Sequence, residues 1–239
     1  CIPVSKEIYL EARQLVQWVE DQRINFIHCV PTLFRLFNAV DPGPLSRTLS
    51  TLEYILLAGE RTNPADLEMW YARYGEKVQL VNLYGPTETT LAKVFYRIHK
   101  EDAGREIIPI GKPIPGARVI ILDENMRLCD ELEAGELYIR TPYRTYGYHN
   151  DPVLNQRKFI PNPFSDNPDD IIYRTGDLGR FLPDGNIELL GRLDRQVKIR
   201  GMSIELEELE SILAAHTDLK ESELIKQEKI RSIRVGCKI

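Results

Sequence analysis

Along the first part of the chain, Ile8, Ala12, Leu15, Val16 and Val19 recur at three- and four-residue steps, predicting an amphipathic helix over residues 5–22. The run Phe26-Ile27-His28-Cys29-Val30 is short, apolar and halted by Pro31, which predicts a buried strand followed by a helix carrying Leu33, Phe34, Leu36, Phe37 and Val40. After the polar turn Asp41-Pro42-Gly43-Pro44, residues 52–57 read as another strand, ending at Ala58-Gly59-Glu60. The next helix is marked at both ends. Asn63 can cap it, Pro64 suits its first position, Asp66 and Glu68 favour the positive end of the dipole, and Gly75 can stop it. Residues 78–84 then form a strand that breaks into Gly85-Pro86-Thr87-Glu88-Thr89-Thr90. Strands and helices alternating at these intervals predict an α/β fold, a parallel sheet with flanking helices. Its neighbouring strand ends, at Ala58-Gly59-Glu60 and at residues 85–90, lie where open sheets usually bind ligands.

Past residues 94–98 the pattern changes. Gly111-Lys112-Pro113-Ile114-Pro115-Gly116 punctuates the chain, and strand-like pieces follow at 119–122, 136–140 and 171–174. Residues 178–182 and 186–190 flank Pro183-Asp184-Gly185, a hairpin signal, and 161–170 read as an exposed loop. A short strand over 196–200 leads to a helix with Leu206, Leu209, Ile212 and Leu213 on one face, and two further strands are expected around 226–232. This predicts three regions: the α/β part over 1–110, a small β-rich subdomain over 111–193, and the start of an α+β C-terminal domain over 194–239.

Composition narrows the function classes. With 239 residues, 43% hydrophobic and 28% charged, the chain can bury a core, and a net charge of -5 supplies no basic field for nucleic acid. No apolar run is long enough to cross a bilayer, so neither nucleic acid nor membrane is an expected partner. Cys1, Cys29, Cys129 and Cys237 are scattered without metal-ligand spacing, which suits reduced thiols and a cytoplasmic protein. The abrupt start at Cys1-Ile2-Pro3 reads as a fragment of something longer. Taken alone, residues 80–90 read first as a Gly-Pro turn leaving a strand and only second as a nucleotide and metal site, and His28 reads first as a satisfied core residue and second as a pocket group.

Five separated stretches change that balance: Asn82-Leu83-Tyr84-Gly85-Pro86-Thr87-Glu88, Ile110-Gly111-Lys112-Pro113-Ile114, Gly135-Glu136-Leu137-Tyr138-Ile139, Tyr173-Arg174-Thr175-Gly176-Asp177 and the run from Gly191-Arg192-Leu193-Asp194 to Gly201. In this order the chain resembles the adenylation domains of non-ribosomal peptide synthetases, within the adenylate-forming ligase superfamily. The resemblance implies ATP-dependent activation of an amino-acid carboxylate, then transfer to the phosphopantetheine thiol of a carrier protein flanked by neighbouring synthetase domains. It makes Thr87 and Glu88 the catalytic candidates, with Glu88 holding Mg²⁺. It places Tyr84 against adenine, the backbone of Gly59 and Glu60 beside the base, Asn82 and Gly85 in the same nucleotide site, Asp177 on the ribose hydroxyls and Arg192 on the ribose or phosphate side.

By the same resemblance His28, Leu56, Ala58, Leu83, Leu91 and Ala92 line a mostly apolar substrate pocket, Asp194 is a hinge, and Lys198 and Gly201 belong to the thioester-forming state. Two departures stand out. The family's Ser/Thr/Gly-rich phosphate loop and its C-terminal lysine are not among these residues, and Met202-Ser203 stands where an aromatic or aliphatic residue and Arg are common. The chain by itself is therefore expected to have little adenylation activity. Two alternatives remain at this point: an acyl-CoA or aryl-acid ligase of the same superfamily, or a non-catalytic docking piece of a larger synthetase.

Overall fold

The computed structural model describes residues 11–40, 49–194, 196–199, 202–205, 221–227 and 232–238. Helix α1 (Ala12–Asp21) packs beside α2 (Pro31–Ala39) and α2 beside α3 (Pro64–Tyr74), and their apolar stripes meet strands β1 (Phe26–Cys29), β2 (Tyr54–Leu57) and β3 (Gln79–Tyr84). Residues 5–10 of the expected first helix lie outside the described residues. The three strands are parallel, in the order β1-β2-β3, as the alternating pattern predicts. Two short antiparallel strands, β4 (Val94–Arg97) and β5 (Lys112–Pro113), extend the sheet beyond β3.

Alternation along these strands decides which side the helices cover. Cys29, Ile55, Leu57 and Leu80 face a core with Phe34, Phe37, Leu67 and Trp70, and Trp70 lies 5.1 Å from Phe34 and 4.4 Å from Tyr74 between ring centroids. The opposite face carries Phe26, His28, Leu56, Leu83 and Phe95, which pair across the strands (His28 with Leu56, Leu83 with Phe95) and are half-buried or exposed. The three helices sit on one side only.

A second sheet runs β10-β9-β7-β6, built from β6 (Arg118–Leu122), β7 (Gly135–Arg140), β9 (Ile171–Phe181) and β10 (Ile187–Arg192). Helix α4 (Pro152–Lys158) leads into β8 (Phe159–Pro161), which pairs with the start of β9. Where the sequence predicts separate strands at 171–174 and 178–182, the backbone is one long strand whose register with β7 shifts. Gly176, with a φ of 79°, lies within this irregularity without ending the strand. Tyr84, Val94, Ile110, Ile121, Leu137, Ile139 and Ile187 form a second core joining the two sheets, so the end of β3 is seated between them.

Two antiparallel pairs follow: β11 (Gln196–Ile199) with β12 (Met202–Glu205), and β13 (Glu221–Gln227) with β14 (Ser232–Lys238). The helix expected around Leu206 lies outside the described residues.

Candidate nucleotide site

The site begins where β3 ends. After Tyr84 the chain must reverse sharply, and an added Cβ at Gly85 would fall 2.0 Å from the Leu91 carbonyl oxygen and 2.8 Å from the Lys93 amide nitrogen. Only glycine lets the two backbone segments approach so closely. Thr87–Thr89 then form one 3₁₀ turn, and Thr90 and Leu91 both take left-handed backbone angles, with φ of 63° and 56°. A β-branched residue in that region is uncommon and marks strain held by its surroundings. Here the Lys93 amide donates to the Tyr84 carbonyl at 2.8 Å, and the Thr90 hydroxyl donates to the Tyr143 carbonyl at 2.6 Å.

Two of the sequence-predicted residues converge on the carboxylate of a third. The Tyr84 hydroxyl donates to Asp177 Oδ2 at 2.5 Å, and Arg192 Nη1 donates to Asp177 Oδ1 at 2.9 Å. Arg192 also forks onto Asp194, with Nε to Oδ1 and Nη2 to Oδ2 both 2.5 Å. Asp177 is itself placed by Thr175, whose hydroxyl donates to the Leu137 carbonyl and accepts from the Asp177 amide. Burial and the Asp177 carboxylate push the Tyr84 phenol far above its ordinary value, so it acts as a donor. Burial works against the Arg192 charge, but the Asp194 and Asp177 carboxylates outweigh it and raise the guanidinium further. Asp194 is held below the usual carboxylate range: burial opposes this, and the Arg192 bonds prevail.

Glu88 lies in a second cluster. Its Oε1 accepts from the Tyr148 hydroxyl at 2.6 Å, which lies 3.3 Å from the Tyr173 hydroxyl, and its carbonyl accepts from the Thr145 amide at 2.7 Å. Thr87 is exposed beside it. Sequence reasoning passed over Tyr148 and Tyr173. The available signal was Gly147-Tyr148 followed by the capping pair Asp151-Pro152, a turn built just before a helix.

Other predicted residues sit apart. Asn82 is buried and spends its amide internally, donating to the Pro109 carbonyl and accepting from the Thr62 hydroxyl. The Glu60 carboxylate turns toward α2, accepting from the amide and hydroxyl of Thr32, while Gly59 beside it is exposed with a φ of 85°. His28, Leu56 and Leu83 lie on the open face of the first sheet; Ala58 follows β2, and Leu91 is 68% exposed with Ala92 half-buried next to it. Lys198 pairs with Ser203 across β11 and β12, and Gly201 lies outside the described residues. A separate cleft, lined by Arg118, Arg140, Asn162, Phe164 and Asp170, contains none of the predicted site residues.

The chemistry of these donors fits a nucleotide. Among the described residues no group of three His, Cys, Asp or Glu side chains could cage a metal. A single partly exposed carboxylate, Glu88, would nevertheless suit Mg²⁺ if phosphates were bound beside it, because that ion keeps waters and takes its remaining ligands from phosphates.

The fold thus places a glycine-dependent loop directly after Tyr84, whose hydroxyl joins the Asp177–Arg192 pair. The chain belongs to the AMP-binding enzyme family, whose model matches residues 1–149. Within that family its similarity lies with the adenylation domains of non-ribosomal peptide synthetases. It is 42% identical over 235 residues to bacitracin synthase 3 of Bacillus licheniformis, covering 97% of this chain and 4% of that protein. It is 42% identical over 206 residues to gramicidin S synthase 1 of Brevibacillus brevis, covering 86% of this chain and 18% of that one. The chain thus spans a small part of these relatives' length. Among solved structures, holo-PA1221, a non-ribosomal peptide synthetase protein with adenylation and carrier domains, superposes with a TM-score of 0.84 at 27% identity, covering 95% of this chain and 39% of that one. No helix among the described residues is long and apolar enough to cross a membrane.

Proposed function

We propose that this chain forms part of an ATP-dependent adenylation domain that converts an amino-acid carboxylate to an aminoacyl-adenylate and passes it to a carrier-protein thiol. One observation carries the reading. Tyr84, Asp177 and Arg192 come from three separated stretches that resemble the family, and the Tyr84 and Arg192 side chains close on the Asp177 carboxylate.

Asp177, aligned by Tyr84 and Arg192, would accept from the ribose hydroxyls. Arg192 carries fixed positive charge toward the phosphate side, and the exposed Thr87 hydroxyl offers a phosphate donor. Glu88 would hold Mg²⁺, which when bound offsets phosphate charge as the substrate carboxylate attacks the α-phosphorus. The backbone at Gly59 and Glu60 would border the base, with Tyr84 on its other side and Asn82 and Gly85 shaping the strand end. The substrate side chain would lie over His28, Leu56, Ala58, Leu83, Leu91 and Ala92. Asp194 would serve as the hinge, and Lys198 and Gly201 would meet the phosphopantetheine arm of the carrier. The cytoplasm, which supplies ATP and keeps thiols reduced, is the compartment this chemistry needs.

The test is AMP binding by calorimetry, with Asp177→Ala expected to weaken it at least tenfold. Retained binding would remove the proposed ribose contact. Pyrophosphate exchange by the synthetase polypeptide that carries these residues, screened over amino acids, fatty acids and aryl acids, should respond to an amino acid alone. The 239-residue chain by itself is expected to exchange little, since the Ser/Thr/Gly-rich loop and its lysine are not among its residues.

A further inference from the structure

A glutamate side chain at the mouth of a site has three rotatable bonds, and its usefulness as a ligand depends on what restrains them. Around Glu88 that restraint is built from a segment some sixty residues away. The Tyr148 hydroxyl donates to Glu88 Oε1 at 2.6 Å. Tyr148 is fixed at both ends: its amide donates to Asn155 Oδ1 at 2.6 Å, and its carbonyl accepts from Asn155 Nδ2 at 2.9 Å. Asn155 rides on α4, whose first turn is capped by the Asp151 side chain bonding the Leu154 amide at 2.9 Å. Gly147 lets the chain pass this close, because at its φ of 129° an added Cβ would fall 2.4 Å from Asn155 Oδ1. The Tyr148 ring packs 5.9 Å from Phe159, and Phe159 packs 5.2 Å from Tyr173. The backbone is tied as well, through the Thr145 amide on the Glu88 carbonyl.

A tyrosine held by its backbone and by its ring, with only its hydroxyl reaching a partly exposed carboxylate, is arranged to set that carboxylate's direction. We propose that Tyr148 is a positioning residue for Glu88, fixing the carboxylate that receives the divalent cation. The proposal rests on the reading of Glu88 as the metal-side group. A carboxylate has about four lone-pair sites, so one bond from Tyr148 leaves acceptor capacity for a cation. The neighbouring Tyr173 is buried, with its hydroxyl 3.3 Å from that of Tyr148 and its ring against Phe159, so it backs Tyr148 from the core side.

The experiment uses the synthetase polypeptide that carries these residues, in four forms: wild type, Glu88→Ala, Tyr148→Phe and Tyr173→Phe. Two quantities are read: Mn²⁺ bound in the presence of a non-hydrolysable ATP analogue, followed by the free-Mn²⁺ electron paramagnetic resonance signal, and the Mg²⁺ concentration at half-maximal pyrophosphate exchange. Residues that orient a metal ligand typically matter by about 10–100-fold in metal affinity. Tyr148→Phe keeps the ring and loses the donor, so both quantities should shift to at least about tenfold higher metal, with the amino-acid KM and the melting temperature nearly unchanged. Tyr173→Phe leaves the Tyr148–Glu88 bond in place and should stay within about threefold of wild type.

If Glu88→Ala leaves metal dependence intact, the metal-side reading of Glu88 fails. If Glu88→Ala shifts it and Tyr148→Phe does not, the positioning role alone fails. Equal shifts in Tyr148→Phe and Tyr173→Phe would also overturn the proposal, because they would indicate general loosening of the aromatic cluster.

Discussion

Replacing Arg192 by alanine probes the arrangement on which the site depends. The side chain is 18% exposed and makes two 2.5 Å bonds to Asp194, one of 2.9 Å to Asp177 and one of 3.2 Å to the Thr175 carbonyl. Removing it leaves Asp177, whose side chain is only 12% exposed, facing the Tyr84 hydroxyl without a cation. A charge-assisted bond to a mostly buried carboxylate contributes about 2–3 kcal/mol. Asp194 is 34% exposed and can recover water, so its share is discounted to about 1 kcal/mol or less. The expected loss is about 3 kcal/mol, or near 10 °C in melting temperature for a chain of this size. Urea unfolding followed by circular dichroism measures it.

The pH dependence gives a second, independent check. Asp194 sits below the usual carboxylate range in the folded protein, so its stabilisation is present above an unfolded pKa near 3.9 and is lost as pH falls through the lower folded value. In Arg192→Ala the cause of that depression is gone, so the gap between wild type and variant should narrow below about pH 4. Arg192→Lys keeps charge without the fork and should recover less than half of the loss. A deficit under 1 kcal/mol at neutral pH, or a gap that stays constant down to about pH 3, would refute the reasoning.

Gly85→Ala should reduce AMP binding at least tenfold while the far-ultraviolet spectrum stays native, because the added Cβ meets backbone at Leu91 rather than a movable side-chain tip; unchanged affinity in calorimetry would show that the loop moves freely. Trp70→Ala should cost about 3–5 kcal/mol in urea unfolding, since Trp70 is fully buried against Phe34 and Tyr74, and a loss under 1 kcal/mol would mean this core collapses to fill the space.

What the sequence made legible was local. The helix at 64–74 could be read because its signals act over a few residues: the Asn63 side chain accepts from the Ala65 amide, Pro64 leads and Gly75 turns with a φ of 67°. The edge strand Lys112–Pro113 could not, since two residues carry no period and their pairing with β4 is decided by tertiary contact. The join between 171–174 and 178–182 was missed for a related reason, because a glycine such as Gly176 can sit within a strand when a bulge requires it. At the candidate site, Tyr84, Asp177 and Arg192 were singled out by motif resemblance, and the fold brings them together. Tyr148 was missed because its partner Glu88 lies sixty positions away and nothing periodic links them.

The one-sided covering of the first sheet bears on how such a protein can change. The aromatic core around Trp70 rests on Ile55, Leu57 and Leu80, whereas His28, Leu56 and Leu83 project to the other side. That second set lies outside the buried core the helices cover. If the substrate side chain lies over that second set, as proposed above, selectivity and foldability are written on alternate residues of the same strands, and a lineage can revise the first while leaving the second untouched.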